Sequence, residues 1–260
     1  MNLITSRDNL FVKNLRRLVQ DSTAYRKVGQ FWLEGDHLCR AALERGVRPQ
    51  QIVLTESVWD AQGALWSSVC DQLIVMPDAL FASLSGLESP AQMGFVVAWS
   101  PAQQVNPQVS TVVLDRLQDA GNVGAILRCA SAFGYRQVLA IKGTAALWSP
   151  KVLRAGMGAH FGLQLVEGAS ESDVASLQVP LLTTSSHEGP FLHALLQNGL
   201  LTPKCAWILG HEGQGVSPAL MLLAGQKVRI AQPGGEESLN VATAAAICLH
   251  ASATALTDAP

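Results

Sequence analysis

From residue 111 onward, short apolar segments of strand length alternate with longer segments of helical character. The predicted strands lie at residues 111–114, 137–141, 163–166, 181–184, 206–209 and 228–231. A chain in which strands and helices alternate is typical of a parallel sheet whose faces are covered by helices. This alternation of strands and helices therefore predicts an α/β domain over residues 109–260.

The first hundred residues predict a second, smaller α/β domain. Its predicted strands lie at residues 30–34, 52–54, 73–76 and 95–99, and its predicted helices at 8–20, 36–44, 57–70 and 78–85. The segment 100–108 contains two prolines and no apolar periodicity, which is typical of a domain linker. We therefore predict a first domain over residues 1–100, a linker over 101–108 and a second domain over 109–260.

The composition excludes some classes of protein. Of the 260 residues, 48% are hydrophobic and 15% are charged, which is ordinary for a folded chain. The net charge of −2 argues against binding nucleic acid through overall charge, but residues 1–50 carry nine Lys or Arg against five acidic residues. This local excess indicates either an attraction for a phosphate backbone or a solvated helix face.

The cysteines and the apolar runs indicate the compartment. The five cysteines are scattered and form neither a Cys-x-x-Cys pair nor a Cys/His cluster, so we expect reduced thiols and no metal site. No apolar run reaches the ~18 residues of a membrane span, and the first residues lack the apolar segment of a signal peptide. The sequence therefore predicts a cytoplasmic protein that does not enter a membrane.

Three polar segments that contain glycines follow predicted strands of the second domain. They read D-R-L-Q-D-A-G-N-V-G-A-I-L-R at residues 115–128, L-G-H-E-G-Q-G at 209–215 and I-A-Q-P-G-G-E-E-S-L-N at 230–240. In open parallel sheets, ligands bind beyond the carboxyl ends of the strands, where glycines let the backbone approach a ligand closely. Ser238 stands where the N-cap of an apolar helix over 238–256 is expected. The segments therefore predict a ligand site, with Asp115 and Asp119 ordering its loops.

The spacing of glycines and histidines excludes several common motifs. Gly210, Gly213 and Gly215 run in the reverse order of G-x-G-x-x-G, so the dinucleotide fingerprint is absent. The two His-Glu pairs lack the second histidine of H-E-x-x-H, and the sequence has neither a P-loop nor a G-x-S-x-G elbow. A nucleotide-dependent oxidoreductase, a zinc peptidase and an α/β-hydrolase are therefore disfavoured.

In this order, the three segments resemble the three motifs of the SpoU (TrmH) branch of the SPOUT RNA methyltransferases. The matching residues are Asn122, Gly124 and Arg128 in the first segment, Gly210, Glu212 and Gly215 in the second, and Gly234, Ser238, Leu239 and Asn240 in the third. Ala231 and Gln232 stand where this family often has Pro and Met. Residues 1–100 resemble the family's N-terminal L30e-like substrate-binding domain through Ser6, Lys13, Leu18 and the F-W-L-E-G of 31–35.

This resemblance implies a fold, an activity and a set of site residues. We expect a trefoil-knotted α/β domain that binds S-adenosylmethionine, forms a homodimer and transfers a methyl group to a ribose 2′-hydroxyl in RNA. The implied cofactor contacts are Gly210, Ile230, Leu239, Thr183 and Gly234. The implied catalytic residues are Arg128, Asn122, Glu212, Ser238 and Asn240. A bulky side chain at Gly210 is expected to occupy the ligand's volume.

The sequence leaves alternatives open for the roles and for the substrate. The resemblance implies that Arg128 activates the ribose hydroxyl, either as a base or by holding an RNA phosphate. Because a guanidinium group is a poor base at neutral pH, the second role, in which Arg128 favours the developing alkoxide, is the one we expect. Glu212 and Asn240 have structural alternatives, Glu212 as an acceptor of backbone N–H bonds and Asn240 at a helix start. A separate L30e-like domain without a long basic tail favours rRNA over tRNA as the substrate. The alternatives are a tRNA methyltransferase and a non-catalytic RNA-binding protein with a relic cofactor pocket.

Overall fold

The structure is a computed structural model that describes residues 1–101, 104–234 and 238–255. The chain forms two compact units. Met1–Ser100 and Trp148–Phe161 make up the first unit, and Pro101–Leu147 and Gly162–Pro260 make up the second. None of the helices in the described ranges has the length and apolarity that a membrane crossing requires.

The first unit is built on a mixed sheet of five strands. Its elements up to residue 100 are β1 (Asn2–Leu3), α1 (Leu10–Gln20), α2 (Ala24–Val28), β2 (Gln30–Glu34), α3 (Asp36–Glu44), β3 (Gln51–Thr55), α4 (Glu56–Ser67), β4 (Leu73–Met76), α5 (Asp78–Ala82) and β5 (Met93–Ala98). The strands lie in the order β1-β4-β3-β5-β2. Strand β5 is antiparallel to both of its neighbours, and the other pairs are parallel.

Helix α1 forms because its sequence is amphipathic and capped. The Asn9 side chain accepts a hydrogen bond from the Phe11 N–H and so satisfies one of the free donors of the first turn. Val12, Leu15 and Leu18 recur every three residues and are buried in the core of this unit, where Trp32 and Val53 also lie. The opposite face of α1 carries basic side chains, which therefore stay at the surface.

The second unit is built on a parallel sheet of six strands. After β5 the chain continues with β6 (Thr111–Asp115), α6 (Ala120–Ala132), β7 (Gln137–Ile141), α7 (Pro150–Gly156), β8 (Gln164–Ala169), α8 (Glu171–Ala175), β9 (Leu181–Thr184), α9 (Leu192–Gln197), β10 (Ala206–Gly210), α10 (Pro218–Leu223), β11 (Gln226–Val228) and α11 (Val241–Thr254). The strand order is β11-β9-β10-β6-β7-β8, and every pair is parallel. All residues of the central strands β6 and β10 are buried, as expected for a sheet that is covered on both faces.

Helices α6 and α11 pack against each other on this sheet. The Trp207 side chain on β10 is fully buried, and its Nε1 donates a 2.9 Å hydrogen bond to Ser252 Oγ on α11. The indole donor is therefore satisfied inside the core, as buried polar groups require. The predicted α/β fold class, a smaller unit ahead of a parallel-sheet unit, is confirmed.

Among the boundaries that differ from those predicted, two have a clear physical reason. Strand β11 ends at Val228 rather than residue 231, because it lies at the sheet edge with β9 as its neighbour, and the following Arg229 N–H donates to Pro190 O. Residues 104–108 of the predicted linker are held by the second unit, where the Asn106 N–H donates to Gln137 Oε1 at 2.7 Å. Residues 102–103 of that linker lie outside the described residues.

The segment 148–161 departs from the predicted division into domains at 1–100, 101–108 and 109–260. It follows the first part of the second unit in the chain but belongs to the first unit. The Trp148 and Phe161 rings lie 4.7 Å and 6.5 Å from the Phe31 ring on β2, and α7 packs against the same strand. Aromatic packing of this kind, which local sequence patterns do not reveal, fixes the segment to the first unit.

Candidate active site

The three motif segments meet at the carboxyl edge of the six-stranded sheet. Strands β6 and β10 are hydrogen-bonded neighbours, and Asp115 stands opposite Gly210 where they end. From β6 the sheet extends to β7 and β8 on one side and to β10, β9 and β11 on the other. A sheet whose order reverses in this way leaves a crevice beyond its central strands, where ligands bind in α/β folds.

Asn122 is positioned by the start of α6. Asp119 precedes the helix, and its Oδ1 accepts a 2.7 Å hydrogen bond from the Asn122 N–H. An N-cap of this kind stabilises a helix by about 0.5–2 kcal/mol. Asn122 is therefore held in the first turn of α6, half-buried, with its side-chain amide in contact with the neighbouring loops.

Glu212 joins the loop after β10 to the loop after β6. Its Oε1 accepts hydrogen bonds from the Asp119 N–H and from Asn122 Nδ2, both at 3.2 Å, and its Oε2 accepts one from the Gln118 N–H at 3.3 Å. Burial raises the pKa of this carboxyl group, but hydrogen bonds from its own N–H, from the Asn122 amide and from the two backbone donors outweigh burial and lower the pKa below its ordinary value. Glu212 is therefore ionised at neutral pH, with its oxygens engaged by donors.

Asn240 connects the third segment to the other two. It is the N-cap of α11, and its Oδ1 accepts hydrogen bonds from the Ala242 N–H at 2.9 Å and the Thr243 N–H at 3.2 Å. Its Nδ2 donates to Asn122 Oδ1 at 2.9 Å. Glu212, Asn122 and Asn240 thus form one hydrogen-bonded chain, the Asn122 network, with one residue from each motif segment.

The predicted N-cap at Ser238 is wrong. Asn240 takes this place because it has the non-helical backbone of a cap, with φ −51° and ψ 137°, and a side chain that reaches the free N–H groups of the first turn. Ser238 lies two residues earlier and is exposed. Asn240 is also exposed, and it donates to Asn122 at the start of α6.

Asp115 makes a second connection between the same two loops. Its side chain is buried, with Oδ2 accepting a hydrogen bond from the Ser217 N–H at 2.6 Å and Oδ1 accepting one from Arg116 Nε at 2.9 Å. Arg116 also donates through Nη1 to Gln214 Oε1 at 3.1 Å, and its φ of 60° is uncommon for a residue other than glycine. Asp115 therefore orders a loop, as expected.

Arg116 and Gln214 are not identified as site residues by the sequence, because no local pattern indicates their pairing.

The structure gives a reason for glycine at position 210 in addition to the expected closeness of a ligand. His211 and Gly215 exchange two backbone hydrogen bonds, of 3.0 Å and 2.9 Å, which fold the loop back onto the end of β10. A Cβ atom at Gly210 would lie 2.2 Å from backbone atoms of Gly215 and Val216. The loop itself therefore excludes a side chain at this position, before any ligand is considered.

The other residues predicted to contact the cofactor lie on β9 or after β11. Thr183 is fully buried on β9, and its Oγ1 donates to Ile208 O at 3.3 Å. Ile230 is half-buried, Leu239 is 36% exposed and Gly234 is exposed. Residues 235–237, in the middle of the third segment, lie outside the described residues.

Arg128 and Ser238 are not joined to the Asn122 network by hydrogen bonds. Arg128 lies on α6 with an exposed side chain, and it makes no hydrogen bond or ion pair with another residue that the structure describes. The Ser238 side chain likewise has no hydrogen bond within the described ranges. The structure therefore brings three of the five predicted catalytic residues into direct contact, and the polar groups of the other two have no partner among the residues it describes.

The two parts of the chain match known families. Residues 110–250 match the SpoU rRNA Methylase family, and residues 9–94 match the MRM3-like substrate binding domain. One relative is the 23S rRNA (guanosine(2553)-2′-O)-methyltransferase RlmP of Bacillus subtilis, 29% identical over 96% of this chain and 98% of that protein. Another is an uncharacterized tRNA/rRNA methyltransferase of Synechocystis, 32% identical over 95% of this chain and 92% of that protein.

Solved structures resemble this chain over nearly its full length. One is the crystal structure of an RNA 2′-O ribose methyltransferase, with a TM-score of 0.76 and 29% identity over 96% of this chain and 97% of that one. Another is the SpoU methyltransferase AviRb from Streptomyces viridochromogenes in complex with AdoMet, with a TM-score of 0.84 over 97% of this chain and 100% of that one. At 22% identity, this second likeness concerns the fold alone. The predicted resemblance is confirmed, and the chain belongs to the SpoU rRNA methylase family.

Proposed function

We propose that this protein methylates a ribose 2′-hydroxyl of large-subunit rRNA, with S-adenosylmethionine as the methyl donor. As a SpoU family member, it is an S-adenosylmethionine-dependent RNA 2′-O-ribose methyltransferase, as the sequence predicts. Its relative RlmP, which matches over nearly the full length of both chains, is named for a guanosine of 23S rRNA. This name supports large-subunit rRNA as the target. The observation that carries the proposal is the Asn122 network, which joins all three motif segments at the carboxyl edge.

The residues at this edge fit the cofactor. Ile230 and Leu239 leave apolar surface accessible for an adenine ring, and no heavy atom of the residues that the structure describes lies within 4 Å of where a Cβ would stand on Gly234. Gln232 Oε1 is buried and has no hydrogen-bond partner among the described residues, so it is an acceptor that a ligand N–H can satisfy. An unsatisfied buried acceptor costs about 1–3 kcal/mol, which a bound donor would recover. When bound, the cofactor supplies a methyl group on a positively charged sulfur.

Arg128 acts on the RNA in this proposal. Its exposed guanidinium has no acidic partner among the described residues and is available to an RNA phosphate. By holding that phosphate, it places the 2′-oxygen in line with the methyl group and favours the negative charge that develops on the oxygen. The hydroxyl proton passes to water, because the guanidinium is itself protonated at neutral pH. Ser238 is proposed to contact the bound substrate.

We also propose a homodimer formed through the second unit, in the cytoplasm. Thr243, Ile247 and His250 are exposed on one face of α11, and Ile247 is 38% exposed. This face of an otherwise apolar helix is open to a partner, and two-fold pairing is the commonest closed symmetry. The cytoplasmic location rests on the free cysteines, which are expected in a reducing compartment.

Methyl transfer to isolated RNA tests the proposed function. The purified protein is incubated with tritiated S-adenosylmethionine and with rRNA or tRNA from cells that lack its gene. We expect label in 23S rRNA, at one nucleotide that mapping of 2′-O-methylation identifies. Label in tRNA instead of rRNA would show that tRNA is the substrate and would refute the proposed target. No label in any RNA, together with no heat on titration with S-adenosylmethionine, would favour the non-catalytic RNA-binding protein instead.

A further inference from the structure

We propose that one face of α1 is a docking surface for the RNA backbone. This face is formed by Lys13, Arg16, Arg17 and Gln20, which we call the basic stripe. The inference rests on the proposed function in taking RNA as the partner, and it assigns part of the recognition to specific side chains of the first unit. The attraction for a phosphate backbone that the basic residues of 1–50 indicate is thereby assigned to one helix face.

The geometry of α1 aligns these side chains. They stand at positions i, i+3, i+4 and i+7, the spacing that places residues on one face of a helix. The stripe covers about 10 Å of helix length at a rise of about 1.5 Å per residue. Together with Asp21, it lines a groove of about 440 Å3. Because Val12, Leu15 and Leu18 anchor the opposite face in the core, the stripe is held toward the surface.

The charges of the basic stripe are weakly neutralised within the protein. Lys13 lies 3.2 Å from Asp8, but the two side chains are 53% and 92% exposed, and such pairs contribute little. Arg16 and Arg17 make no ion pair with any residue that the structure describes. Other cations of the chain are paired more closely: Arg40 with Asp36 at 2.8 Å, Arg116 with Asp115 at 2.9 Å and Lys227 with Glu188 at 2.5 Å.

The acid that lines the groove, Asp21, also accepts hydrogen bonds from a residue outside the stripe. Asp21 Oδ1 accepts hydrogen bonds from the Thr23 N–H at 2.8 Å and from Thr23 Oγ1 at 2.9 Å. Arg17 interacts electrostatically with Asp21, and Lys13 with Asp8, but both acids are exposed. The repulsion between Lys13, Arg16 and Arg17 across one helical turn is therefore only weakly offset. An anion that spans the stripe would relieve this repulsion.

The length of the stripe favours a chain of phosphate groups over a single phosphate ion. Three cations spread along the helix match successive phosphates of a nucleic acid backbone, whereas one isolated phosphate would engage one or two of them. Contacts of this kind position an RNA without reading its bases, and they release counter-ions on binding. Gln20, at the end of the stripe, carries both a donor and an acceptor that suit a phosphate oxygen or a ribose hydroxyl.

The salt dependence of RNA binding tests this surface. The full-length chain carrying Lys13→Gln, Arg16→Gln and Arg17→Gln is compared with a matched control carrying Arg40→Gln, Arg45→Gln and Arg48→Gln. Both variants lose three charges from the first unit. The probe is an unmodified 23S rRNA transcript, with binding measured at about 50–300 mM salt. We expect the slope of log K against log salt to become shallower by about 2–3 in the stripe variant and by less than about 1 in the control, at about 0.7–0.9 per phosphate contact.

The outcomes separate this inference from the proposed function. Equal slopes for the wild type and the stripe variant, or equal losses in the two variants, would overturn the docking surface. If the triple variant does not fold, the double variant Arg16→Gln/Arg17→Gln is expected to lose about 1.4–1.8 of the slope. For each variant, a thermal midpoint and an S-adenosylmethionine affinity equal to those of the wild type show that the fold is intact. A stripe-dependent slope without methyl transfer by the wild type would retain the surface and refute the proposed function.

Discussion

Glu212 and Arg128 are both candidate catalytic residues, and their surroundings separate their roles. The Glu212 carboxylate accepts three hydrogen bonds from Gln118, Asp119 and Asn122, so its charge is used to hold two loops together. Arg128 has no partner among the described residues and stands exposed on α6. The Glu212 charge, which already accepts hydrogen bonds, suits a role in positioning, whereas the Arg128 charge, which has no counter-charge among the described residues, suits contact with a substrate.

Replacing Arg128 is expected to remove the chemical step while leaving cofactor binding intact. Loss of one preorganised charge at the reacting oxygen costs about 10²–10³ in kcat. We expect Arg128→Ala to show such a loss with an unchanged Kd for S-adenosylmethionine. Arg128→Lys should restore little if planar, bidentate contact with phosphate matters. Arg136→Ala, an exposed arginine near the start of β7, is the control. Full methyl transfer by Arg128→Ala would remove this residue from the mechanism.

The ionised state of Glu212 predicts how stability depends on pH. Because its pKa is lower in the folded state, its hydrogen bonds contribute above the ordinary value of 4.5, and the contribution is lost as the pH falls through the folded pKa. We expect Glu212→Gln to be less stable than the wild type at pH 7, with the difference shrinking below 4.5. Denaturant unfolding at several pH values measures this, with Glu44→Gln as a surface control. A difference that does not change with pH would contradict the prediction.

At the scale of elements, Asn240 ties the start of α11 to the start of α6. Its Oδ1 caps α11, while its Nδ2 donates to Asn122 Oδ1. One residue therefore both stabilises a helix and orients the Asn122 network. These two functions use different atoms, so they can be separated by substitution.

Asn240→Asp is expected to keep the cap and break the network. Asp is as good an N-cap as Asn, but it offers Asn122 Oδ1 no donor at neutral pH. Rotation of the Asn122 amide would not repair the network, because it would place the amide oxygen, which cannot donate, against the Glu212 carboxylate. We expect Asn240→Asp to retain the wild-type Tm with kcat/KM at least about tenfold lower, whereas Asn240→Ala should lose about 1 kcal/mol as well. Wild-type kcat/KM in Asn240→Asp would show that the network does not serve the reaction.

At the scale of the whole molecule, local patterns predict elements but not the contacts between distant segments. The six parallel strands are predictable because their residues form short apolar runs, as in the buried strand β6. The order β11-β9-β10-β6-β7-β8 is not, since pairing between distant strands leaves no local pattern. The resemblance predicts Asn122 and Asn240 in one site, but only the structure gives their hydrogen bond, 118 residues apart in the chain.

The proposed dimer gives a prediction at the same scale. Burying a charge in an apolar interface is unfavourable, so Ile247→Asp on α11 should convert the dimer to a monomer. Light scattering at micromolar concentration measures the mass of each form. Leu222→Asp on α10 is the control, because Leu222 is 87% exposed. A wild-type protein with the mass of a single chain would refute the dimer.

The path of the chain between the two units bears on how such enzymes acquire new targets. The chain crosses from one unit to the other three times, after residues 100, 147 and 161, because the segment 148–161 belongs to the first unit. A gene cut once after residue 100 would separate Trp148 and Phe161 from Phe31. Exchange of the first unit by a single recombination is therefore disfavoured, and a lineage with this architecture is expected to change its RNA target by substitutions on a first unit that it inherits whole.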